Sequence, residues 1–484
     1  MNLIPSSEIS FHPHSFGDHR IRVFQWNGQI YRAIAAEYAP FYKQLFHDEV
    51  ICSAVEKGLL IDSGLTPLAV DGYELVVRHR KIAFVSYPNE WCAAMLKAGA
   101  LAIVDLALEL ARHGYTLGDA HPWNLLFDLE KMKPIFVDLG SVVPITEFTW
   151  SLYDEFCRFC LYPLLLMCEG EDHLARLLMW EDSGVMESHI WKLRGSSLPF
   201  LLTRYRSLLN RAERTFACRV PEFYRIWLRQ RCSSVPASSL NNLEMGKAST
   251  NPSAGFRARF HVRYLENVRR DVERIRVPSP WKHRRERLEE VEVEATPQQH
   301  WTATQCLLHK LLIELQPRTL LDVGSDTDWY AKLAARLGVQ VVRWDSDPVR
   351  VAQSYQATAA SKLPMLPLVI DFSKPTPARG LANQWSIAAT DRFRCDMVLA
   401  LGTLQRSVRE RRLNFEQITE GLASLATRSV VVEFVSREDE EMRRWPASFS
   451  WYTLANFVSV ARKRFKDVRV LLDAQTRHLL LCEK

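Results

Sequence analysis

The sequence has no long apolar run. The longest, Phe159 to Cys168, spans ten residues, whereas a helix that crosses a membrane needs about twenty. Its first residues also lack the basic head, apolar core and cleavage site of a secretory signal. We therefore expect a cytoplasmic protein without a transmembrane segment.

Paired cysteine motifs of the kind that bind metal ions or carry out redox chemistry are scarce as well. The ten cysteines are spread widely along the 484 residues, which suits a reducing compartment where cysteines pack as small hydrophobic side chains. Cys157 and Cys160 form a Cys-x-x-Cys in an apolar helical run, and no second pair accompanies them. We predict that these two cysteines pack in a core.

Charge is nearly balanced outside one segment. Against a net charge of +6 for the whole chain, Arg257 to Arg287 holds eleven basic and four acidic residues. We predict a helix with acid–base pairs one turn apart and a solvated face. Nucleic acid or an anionic membrane surface is the alternative, but aromatic residues that could stack on bases are few, so nucleic acid is not an expected partner.

A strand–turn–helix–strand pattern lies in the second half of the chain. Thr319 to Val323 has the length of a buried parallel strand, and Asp328 to Leu337 has the spacing of an amphipathic helix. Gly324, in the turn between them, lets a ligand approach the backbone, and the helix start offers free N–H groups. Asp345 ends the next strand about twenty residues on, where a carboxylate can accept both hydroxyls of a ribose.

Three more apolar strands follow, separated by helical stretches. They are Leu366 to Ile370 followed by Asp371, Asp396 to Leu401, and Ser429 to Phe434, which includes Glu433. Strands and helices in this order predict an α/β domain with a doubly wound sheet, whose ligand lies at the carboxyl ends of the strands.

The segments LLDVGSDTDW, VVRWDSDP, LPLVIDF, DMVLALG and VVVEFVSREDEE give residues 298–484 a resemblance to a known family. They resemble the bacterial class I S-adenosylmethionine-dependent methyltransferases, which have a Rossmann-like fold. The resemblance implies that the methionine part of S-adenosylmethionine is bordered by Asp322 and Gly324, its ribose is held by Asp345, and its adenine is flanked by Asp371 and Phe372. Methyl transfer from a sulfonium is an in-line displacement, so the protein mainly positions the partners and excludes water.

Two features depart from the family pattern. Asp328 stands where the family usually has a second glycine, and its side chain is expected to narrow the cleft. Related sequences tend to place histidines after the fourth strand, whereas Leu401 to Ser407 has none, so no catalytic base for methyl transfer is identified. A nitrogen or sulfur acceptor can react without a base, but a sugar or phenol hydroxyl usually needs one. The alternative is a fold that kept its sheet and lost its cofactor.

A second set of motifs lies between Gly99 and Val143. It consists of a long apolar helix, a polar loop, two strands joined by a tight turn, and an Asp-Leu-Gly. Asp119 and Asn124 lie in the loop, and Asp138 opens the Asp-Leu-Gly. Kinase-type phosphoryl transfer needs such oxygen donors, one to orient the accepting hydroxyl and two to bind magnesium.

The preceding residues extend this pattern. Tyr73 to Val77 and Lys81 to Val85 have the pattern of a hairpin that leads to a hinge at Ser86 to Glu90. Ser10 to Ile190 therefore resembles the fold of protein kinases and aminoglycoside phosphotransferases. The resemblance implies that Asp119 is the catalytic aspartate and that Asn124 and Asp138 bind magnesium together with ATP.

The phosphate-holding half of this second site is poor. No glycine-rich loop precedes Gly28, Arg32 stands where such enzymes place a lysine, and Leu117 stands where they commonly have histidine. Because the missing clamp supplies most of the transition-state stabilisation, we expect weak or absent phosphoryl transfer. In the alternative without metal, Asp119 caps the loop and Asn124 bonds the backbone.

The resemblances together predict three regions. A kinase-like α+β domain occupies residues 1–232, including helices as far as Gln230; a linker and basic connector occupy 233–297; and the methyltransferase domain occupies 298–484. Some bacterial proteins join these two domains in this way, and nodulation-associated proteins are among them. The chain is similar to these proteins along most of its length.

The predicted function is an S-adenosylmethionine-dependent methyltransferase with a kinase-like accessory domain. Its expected acceptor is a small molecule or a glycan precursor held between the two domains. The first alternative is a Mg-ATP-dependent phosphotransferase that uses the N-terminal site. The second is a scaffold in which both sites are inactive. The sequence does not indicate an oligomeric state.

Overall fold

The computed structural model describes residues 2–12, 15, 19–194, 208, 252–277, 298–440, 442, 445 and 447–484. The helices predicted between residues 195 and 230, apart from residue 208, lie outside this part, as do the linker at 233–251 and the connector at 278–297. The described chain forms an N-terminal domain (residues 2–194) and a C-terminal domain (residues 298–484), with a helix at 252–274 between them in sequence.

The N-terminal domain begins with a five-stranded antiparallel sheet in the order β2-β3-β4-β7-β5. Its central hairpin turns at Asn27 and Gly28, whose φ values of 47° and 73° are those that a two-residue turn between twisted strands requires. A short strand pair, β1 with β6, packs on one face. The strands are β1 (Asn2–Ile4), β2 (Ser10–Phe11), β3 (Ile21–Trp26), β4 (Gln29–Ile34), β5 (Ser63–Leu65), β6 (Leu68–Val70) and β7 (Leu75–His79).

The predicted hairpin of Tyr73–Val77 with Lys81–Val85 is wrong. The strand is β7, its partners are β4 and β5, and residues 81–85 form no strand. The Arg80 N–H still donates to the Asp62 carbonyl at 2.9 Å, but its side chain reaches out of the sheet. Its guanidinium pairs with Asp128 of the second lobe, so the following residues connect the lobes instead of returning along β7.

The second lobe surrounds α3 (Ala93–Arg112), which is buried on most of its faces. Gly99 sits where a Cβ would lie 3.2 Å from the Trp91 ring, so this helix packs closely there. Two hairpins hold the predicted polar loop and the Asp-Leu-Gly turn: β8 (Tyr115–Leu117) with β11 (Val142–Pro144), and β9 (Leu125–Asp128) with β10 (Lys133–Phe136). The other helices are α1 (Ala39–His47), α2 (Val50–Glu56), α4 (Tyr153–Phe156), α5 (Tyr162–Cys168), α6 (Asp172–Met179) and α7 (Glu187–Arg194).

Cys157 and Cys160 lie in a single π-helical turn, Cys157–Leu161, between α4 and α5. Both cysteines are buried in the core. Burial holds the pKa of the Cys160 thiol well above its ordinary value, as expected of an unreactive core cysteine. The prediction of core packing is confirmed.

The C-terminal domain is a seven-stranded sheet in the order β14-β13-β12-β15-β16-β18-β17. The first five strands are parallel, and β18 runs antiparallel to both β16 and β17. The strand order reverses between β12 and β15, which makes the switch point where α/β sheets bind ligands. The strands are β12 (Thr319–Val323), β13 (Gln340–Asp345), β14 (Met365–Val369), β15 (Cys395–Ala400), β16 (Ala426–Val435), β17 (Asp467–Ala474) and β18 (Arg477–Glu483).

Helices cover both faces of this sheet, as a largely parallel sheet requires. On one face of the sheet, side chains of the helices Ala303–Leu315 and Trp329–Arg336 pack in one hydrophobic cluster. The side chains on the other face belong to a second, larger cluster. The predicted fold class is therefore confirmed: an α+β domain precedes a Rossmann-like, doubly wound α/β domain. The helices are α9 (Ala303–Leu315), α10 (Trp329–Arg336), α11 (Pro348–Ser361), α12 (Ala389–Arg392), α13 (Thr403–Arg411), α14 (Phe415–Leu425) and α15 (Leu454–Ala461), and the helix between the domains is α8 (Pro252–Arg274).

The two domains share one hydrophobic core. The larger cluster contains residues of both, and aromatic rings meet across the boundary: Phe127 lies 5.9 Å from Tyr355, and Phe84 lies 6.3 Å from Phe393, measured between ring centroids. An interface of this apolar kind holds domains in a fixed relation.

The described part of the basic connector, α8, packs against α3. Lys97 Nζ donates to the carbonyl oxygens of Glu273 and Ile275 at 2.9 and 2.7 Å, and Arg269 pairs with Asp105. This part of the basic segment therefore uses several of its charges within the protein. Among the described residues, no helix has the length and apolar character needed to cross a bilayer.

Candidate active sites

Four strands of the C-terminal sheet end beside one crevice. Gly324 follows β12 with a φ of +87°, and Gly402 follows β15 with a φ of +71°. Asp345 ends β13, and Glu433 lies near the end of β16. Because these strands are parallel and adjacent, the structure brings the predicted Gly324 and Asp345 to the same edge of the sheet.

A buried arginine links the two predicted carboxylates of this edge. Arg343 Nη2 lies 3.0 Å from Asp345 Oδ2, and its Nε lies 3.9 Å from Asp322 Oδ2. The remaining Asp322 oxygen accepts from the Ser325 N–H at 3.1 Å and from its hydroxyl. Burial raises the pKa of Asp322 to about 6, although Arg343 and Ser325 favour the charged form. Within the described part of the chain, no group donates a hydrogen bond to Asp322 Oδ2.

Asp345 is only 6% exposed and is held from two sides. Its Oδ1 accepts from the Asp347 N–H at 2.9 Å, and its Oδ2 accepts from Arg343 at 3.0 Å. A carboxylate has about four acceptor positions, so capacity remains for hydroxyl donors. The free acceptor positions of Asp345 at this edge therefore fit the ribose hydroxyls of a nucleoside cofactor.

Asp328 does not narrow the crevice in the way expected. Its Oδ2 lies 3.0 Å from Lys332 Nζ and 3.2 Å from the Ser354 hydroxyl, which belong to α10 and α11. The carboxylate is thus held on the helical side of the turn. The atom that a Cβ at Gly324 would meet first is Arg406 Nη2, at 3.4 Å.

Arg406 and Asp326 cover the two glycines of the crevice. The Arg406 guanidinium donates to the Gly324 carbonyl and lies 3.3 Å from Asp326 Oδ1. Asp326 in turn reaches over Gly402, where a Cβ would lie 3.1 Å from its Oδ2. A ligand that enters beside Gly324 must displace this ion pair or bind to it.

The residues predicted to flank the adenine lie at the end of β14. Asp371 Oδ1 accepts from the N–H and hydroxyl of Ser373 at 2.9 and 2.7 Å, and its other oxygen pairs with Arg411. The Phe372 ring lies against α14, where a Cβ at Gly421 would meet it at 3.3 Å. Both residues therefore shape the loop that leaves β14.

Glu433 is an acid–base group that the sequence analysis did not identify as one. Its Oε2 accepts from the Gly402 N–H at 3.1 Å, and its Oε1 lies 3.5 Å from Arg477 Nη1. Burial raises its pKa above the ordinary glutamate value, so it is a stronger base than an exposed glutamate. The sequence feature that could have identified it is an acidic residue near the carboxyl end of an apolar strand.

The kinase-like residues occupy the predicted loop and turn. Asp119 accepts from the His121 N–H at 3.2 Å and lies 3.2 Å from its ring Nε2. The Asn124 backbone carbonyl accepts from the Val137 N–H at 2.9 Å. Its side-chain Nδ2 has no hydrogen-bond partner among the described residues. Asp119 thus bonds its own loop, in the manner of the alternative without metal.

Asp138 is paired with a protein cation. Arg32 Nη1 lies 2.8 Å from Asp138 Oδ1, and the Ser141 hydroxyl donates to the other oxygen at 2.6 Å. Burial alone would raise the pKa of Asp138, but Arg32 and Ser141 outweigh it and lower the pKa. Arg32 also donates to His79 Nε2 at 3.4 Å, and burial with this arginine lowers the pKa of His79 to about 3.

This arrangement does not fit a Mg-ATP site. A guanidinium already neutralises the carboxylate that would bind the metal, and a second cation there would meet charge repulsion. Among the described ranges, no group of three or more histidine, cysteine, aspartate or glutamate side chains could hold a metal ion. A cavity of about 690 Å³ is lined by Val23 and Ile30 of the N-terminal sheet and by Ile387 of the C-terminal domain.

No protein-family model matches the chain. Two solved structures are similar to part of the chain. One is the bifunctional kinase-methyltransferase WbdD, with 13% identity and a TM-score of 0.27 over 37% of this chain and 38% of that one. The other is magnesium protoporphyrin IX methyltransferase (ChlM) from Synechocystis PCC 6803 with bound SAM, with 13% identity and a TM-score of 0.26 over 37% of this chain and 76% of that one. The chain thus aligns with well under half of WbdD.

A sequence relative extends over nearly the whole chain. Nodulation protein NoeA of Rhizobium meliloti (strain 1021) is 25% identical over 486 residues, which span 97% of this chain and 95% of that protein. The alignment includes both domains. The predicted resemblance to nodulation-associated proteins is therefore confirmed over 97% of the chain.

Proposed function

We propose that the chain is an S-adenosylmethionine-dependent methyltransferase whose kinase-like domain does not transfer phosphate. The observation that carries the proposal is the crevice at the switch point of the sheet, where Gly324, Asp345 and Asp322 meet. The cofactor would supply the methyl group on its sulfonium. Asp345 would hold the ribose hydroxyls, and the bare backbone at Gly324 would admit the methionine part.

Glu433 supports an oxygen acceptor. A hydroxyl becomes nucleophilic enough when a nearby base takes its proton as the new bond forms. The raised pKa of Glu433 and its position beside Gly402 suit that role. We therefore propose a hydroxyl-bearing small molecule or a glycan precursor as acceptor.

Titration calorimetry with S-adenosylmethionine tests the proposal. We expect saturable binding to the full chain and its loss in Asp345→Ala. Asp347→Ala removes a neighbouring carboxylate and its bond to the Val349 N–H but keeps the backbone N–H that donates to Asp345, so it should keep the greater part of the affinity. The thermal midpoint of each variant reports whether the fold is intact. Absence of binding to the wild-type protein would refute the cofactor assignment.

A scaffold without either activity is the second candidate. The ion pair of Arg32 with Asp138 favours it for the N-terminal site, and the position of Arg406 over Gly324 is the corresponding observation at the C-terminal site. This candidate predicts no heat with S-adenosylmethionine or with Mg-ATP. A phosphotransferase predicts ATP hydrolysis that is lost in Asp138→Ala.

A further inference from the structure

One segment of the C-terminal domain contacts the kinase-like domain through Arg379, Ile387 and Arg392. This strap, residues 372–392, runs from Phe372 beside the crevice to the end of α12. Within it, the Ala389 N–H donates to the Thr376 carbonyl at 2.8 Å, and Trp385 N–H donates to Arg379 at 2.8 Å. The strap therefore folds into a compact loop with its own backbone bonds.

The middle of the strap contacts the predicted catalytic loop of the kinase-like domain. The Arg379 guanidinium lies 5.8 Å from the Trp123 ring centroid and 5.1 Å from that of Trp180, and it pairs with Asp182. Trp123 stands between Asp119 and Asn124 in the sequence. A surface that a kinase would leave to its substrate is thus a contact surface for the other domain.

The end of the strap is anchored on the predicted hinge. Arg392 and Glu90 form a two-pronged ion pair, and their side chains are 2% and 0% exposed. Arg392 also donates to the Val85 carbonyl and lies 3.9 Å from the Tyr87 ring centroid. The Ile387 N–H donates to the Tyr87 hydroxyl at 2.9 Å. Buried charges paired this closely are costly to separate.

We infer that the kinase-like domain serves as the support that fixes the strap, and through it the adenine side of the cofactor crevice. The inference rests on the proposed function, because it uses the expected place of the adenine beside Asp371 and Phe372. Tyr87, Arg379 and Arg392 are then positioning residues. They lie away from the expected cofactor position. Their role is to raise the fraction of molecules in which the strap has the cofactor-binding conformation.

The test is made on the full chain with two mild variants. Tyr87→Phe removes the hydroxyl that accepts from the Ile387 N–H, and Arg379→Ala removes the contacts with Trp123, Trp180 and Asp182. Arg394→Ala is the matched control, since it removes an exposed arginine two residues from Arg392. Affinities for S-adenosylmethionine and for adenosine are measured by calorimetry well below each thermal midpoint.

We expect Tyr87→Phe and Arg379→Ala to weaken both ligands by the same factor, about five- to tenfold, and Arg394→Ala to leave them unchanged. Amide hydrogen exchange should become faster within residues 372–388, and Arg379→Lys should recover part of the affinity. Unchanged affinities in both variants, with a wild-type protein that binds S-adenosylmethionine, would overturn the inference. A wild-type protein that does not bind would instead refute the proposed function.

Discussion

Arg32 and Asp138 form a 2.8 Å ion pair across the cleft of the kinase-like domain. The guanidinium is 7% exposed and also contacts His79, which burial keeps neutral at pH 7. The carboxylate that the kinase resemblance assigns to magnesium is thus already paired with a protein cation.

Asp138→Asn should lower the free energy of unfolding by about 1–3 kcal/mol, because it leaves the buried Arg32 without a charged partner. Chemical denaturation at pH 7 measures the change. Arg32→Met in the same background should recover part of the loss, since it removes the unpaired charge. Equal stability of wild type and Asp138→Asn would show that the ion pair contributes nothing.

Arg406 should discriminate between ligands with and without an amino-acid part. S-adenosylmethionine carries a carboxylate and an ammonium group that 5′-methylthioadenosine lacks, and Arg406 with Asp326 presents the two complementary charges beside Gly324. We expect Arg406→Ala to weaken S-adenosylmethionine by about 10- to 100-fold and to leave methylthioadenosine unchanged.

Arg409→Ala, an exposed arginine on the same helix, is the control for that experiment. Competition calorimetry with both ligands provides the readout. A parallel change for the two ligands would mean that Arg406 acts on the fold of the crevice rather than on the amino-acid part.

The pKa of Asp322 predicts how stability depends on pH. Burial raises this pKa from 3.8 to about 6, so between these values the folded protein binds a proton that the unfolded chain does not. Stability from this group therefore increases as pH falls from 6 towards 4 and is lost at higher pH. At pH 8 we expect Asp322→Asn to be more stable than wild type by up to about 3 kcal/mol.

The measurement is the unfolding free energy of both proteins between pH 4 and pH 8. The difference between them should shrink as the wild-type carboxyl group gains its proton. A constant difference over this range would place the titration elsewhere.

Glu433→Gln should separate catalysis from cofactor binding. Glutamine can still accept from the Gly402 N–H, so the affinity for S-adenosylmethionine should stay within about twofold, a change near the scale of thermal energy. Transfer of a labelled methyl group to a hydroxyl acceptor should fall by about 10²- to 10⁴-fold, because no base receives the proton.

The pH profile of that transfer gives an independent check. The wild-type rate should fall as pH drops through the raised pKa of Glu433, and the variant should lose this limb. A variant that keeps the wild-type rate and profile would exclude Glu433 as the base.

Residues that act within one element were predictable from the sequence. Thr319 to Val323 is a strand with the predicted limits, and Gly324 has the positive φ that its place in a turn indicated. Asp345 ends its strand as expected. These features depend on periodicity and on local backbone preferences, which a short stretch of sequence contains.

Features that depend on two distant segments were not predictable. Asp328 pairs with Lys332 one helical turn on, a spacing that the sequence does contain. Its contact with the Ser354 hydroxyl, which helps to hold it away from the crevice, joins residues 26 positions apart and has no local signal. The base position of Glu433 requires Gly402 and Arg477 to be adjacent. Such contacts are set by the order of strands in the sheet, which periodicity alone does not determine.

The hydrophobic core that crosses the domain boundary constrains how this fusion can change. If either half were deleted, apolar surface of the remaining half would be exposed to water, and exposed surface of that size promotes aggregation. The N-terminal domain therefore supports the packing of the C-terminal domain, whatever chemistry its own cleft performs. Substitutions in the shared core are expected to destabilise both domains together.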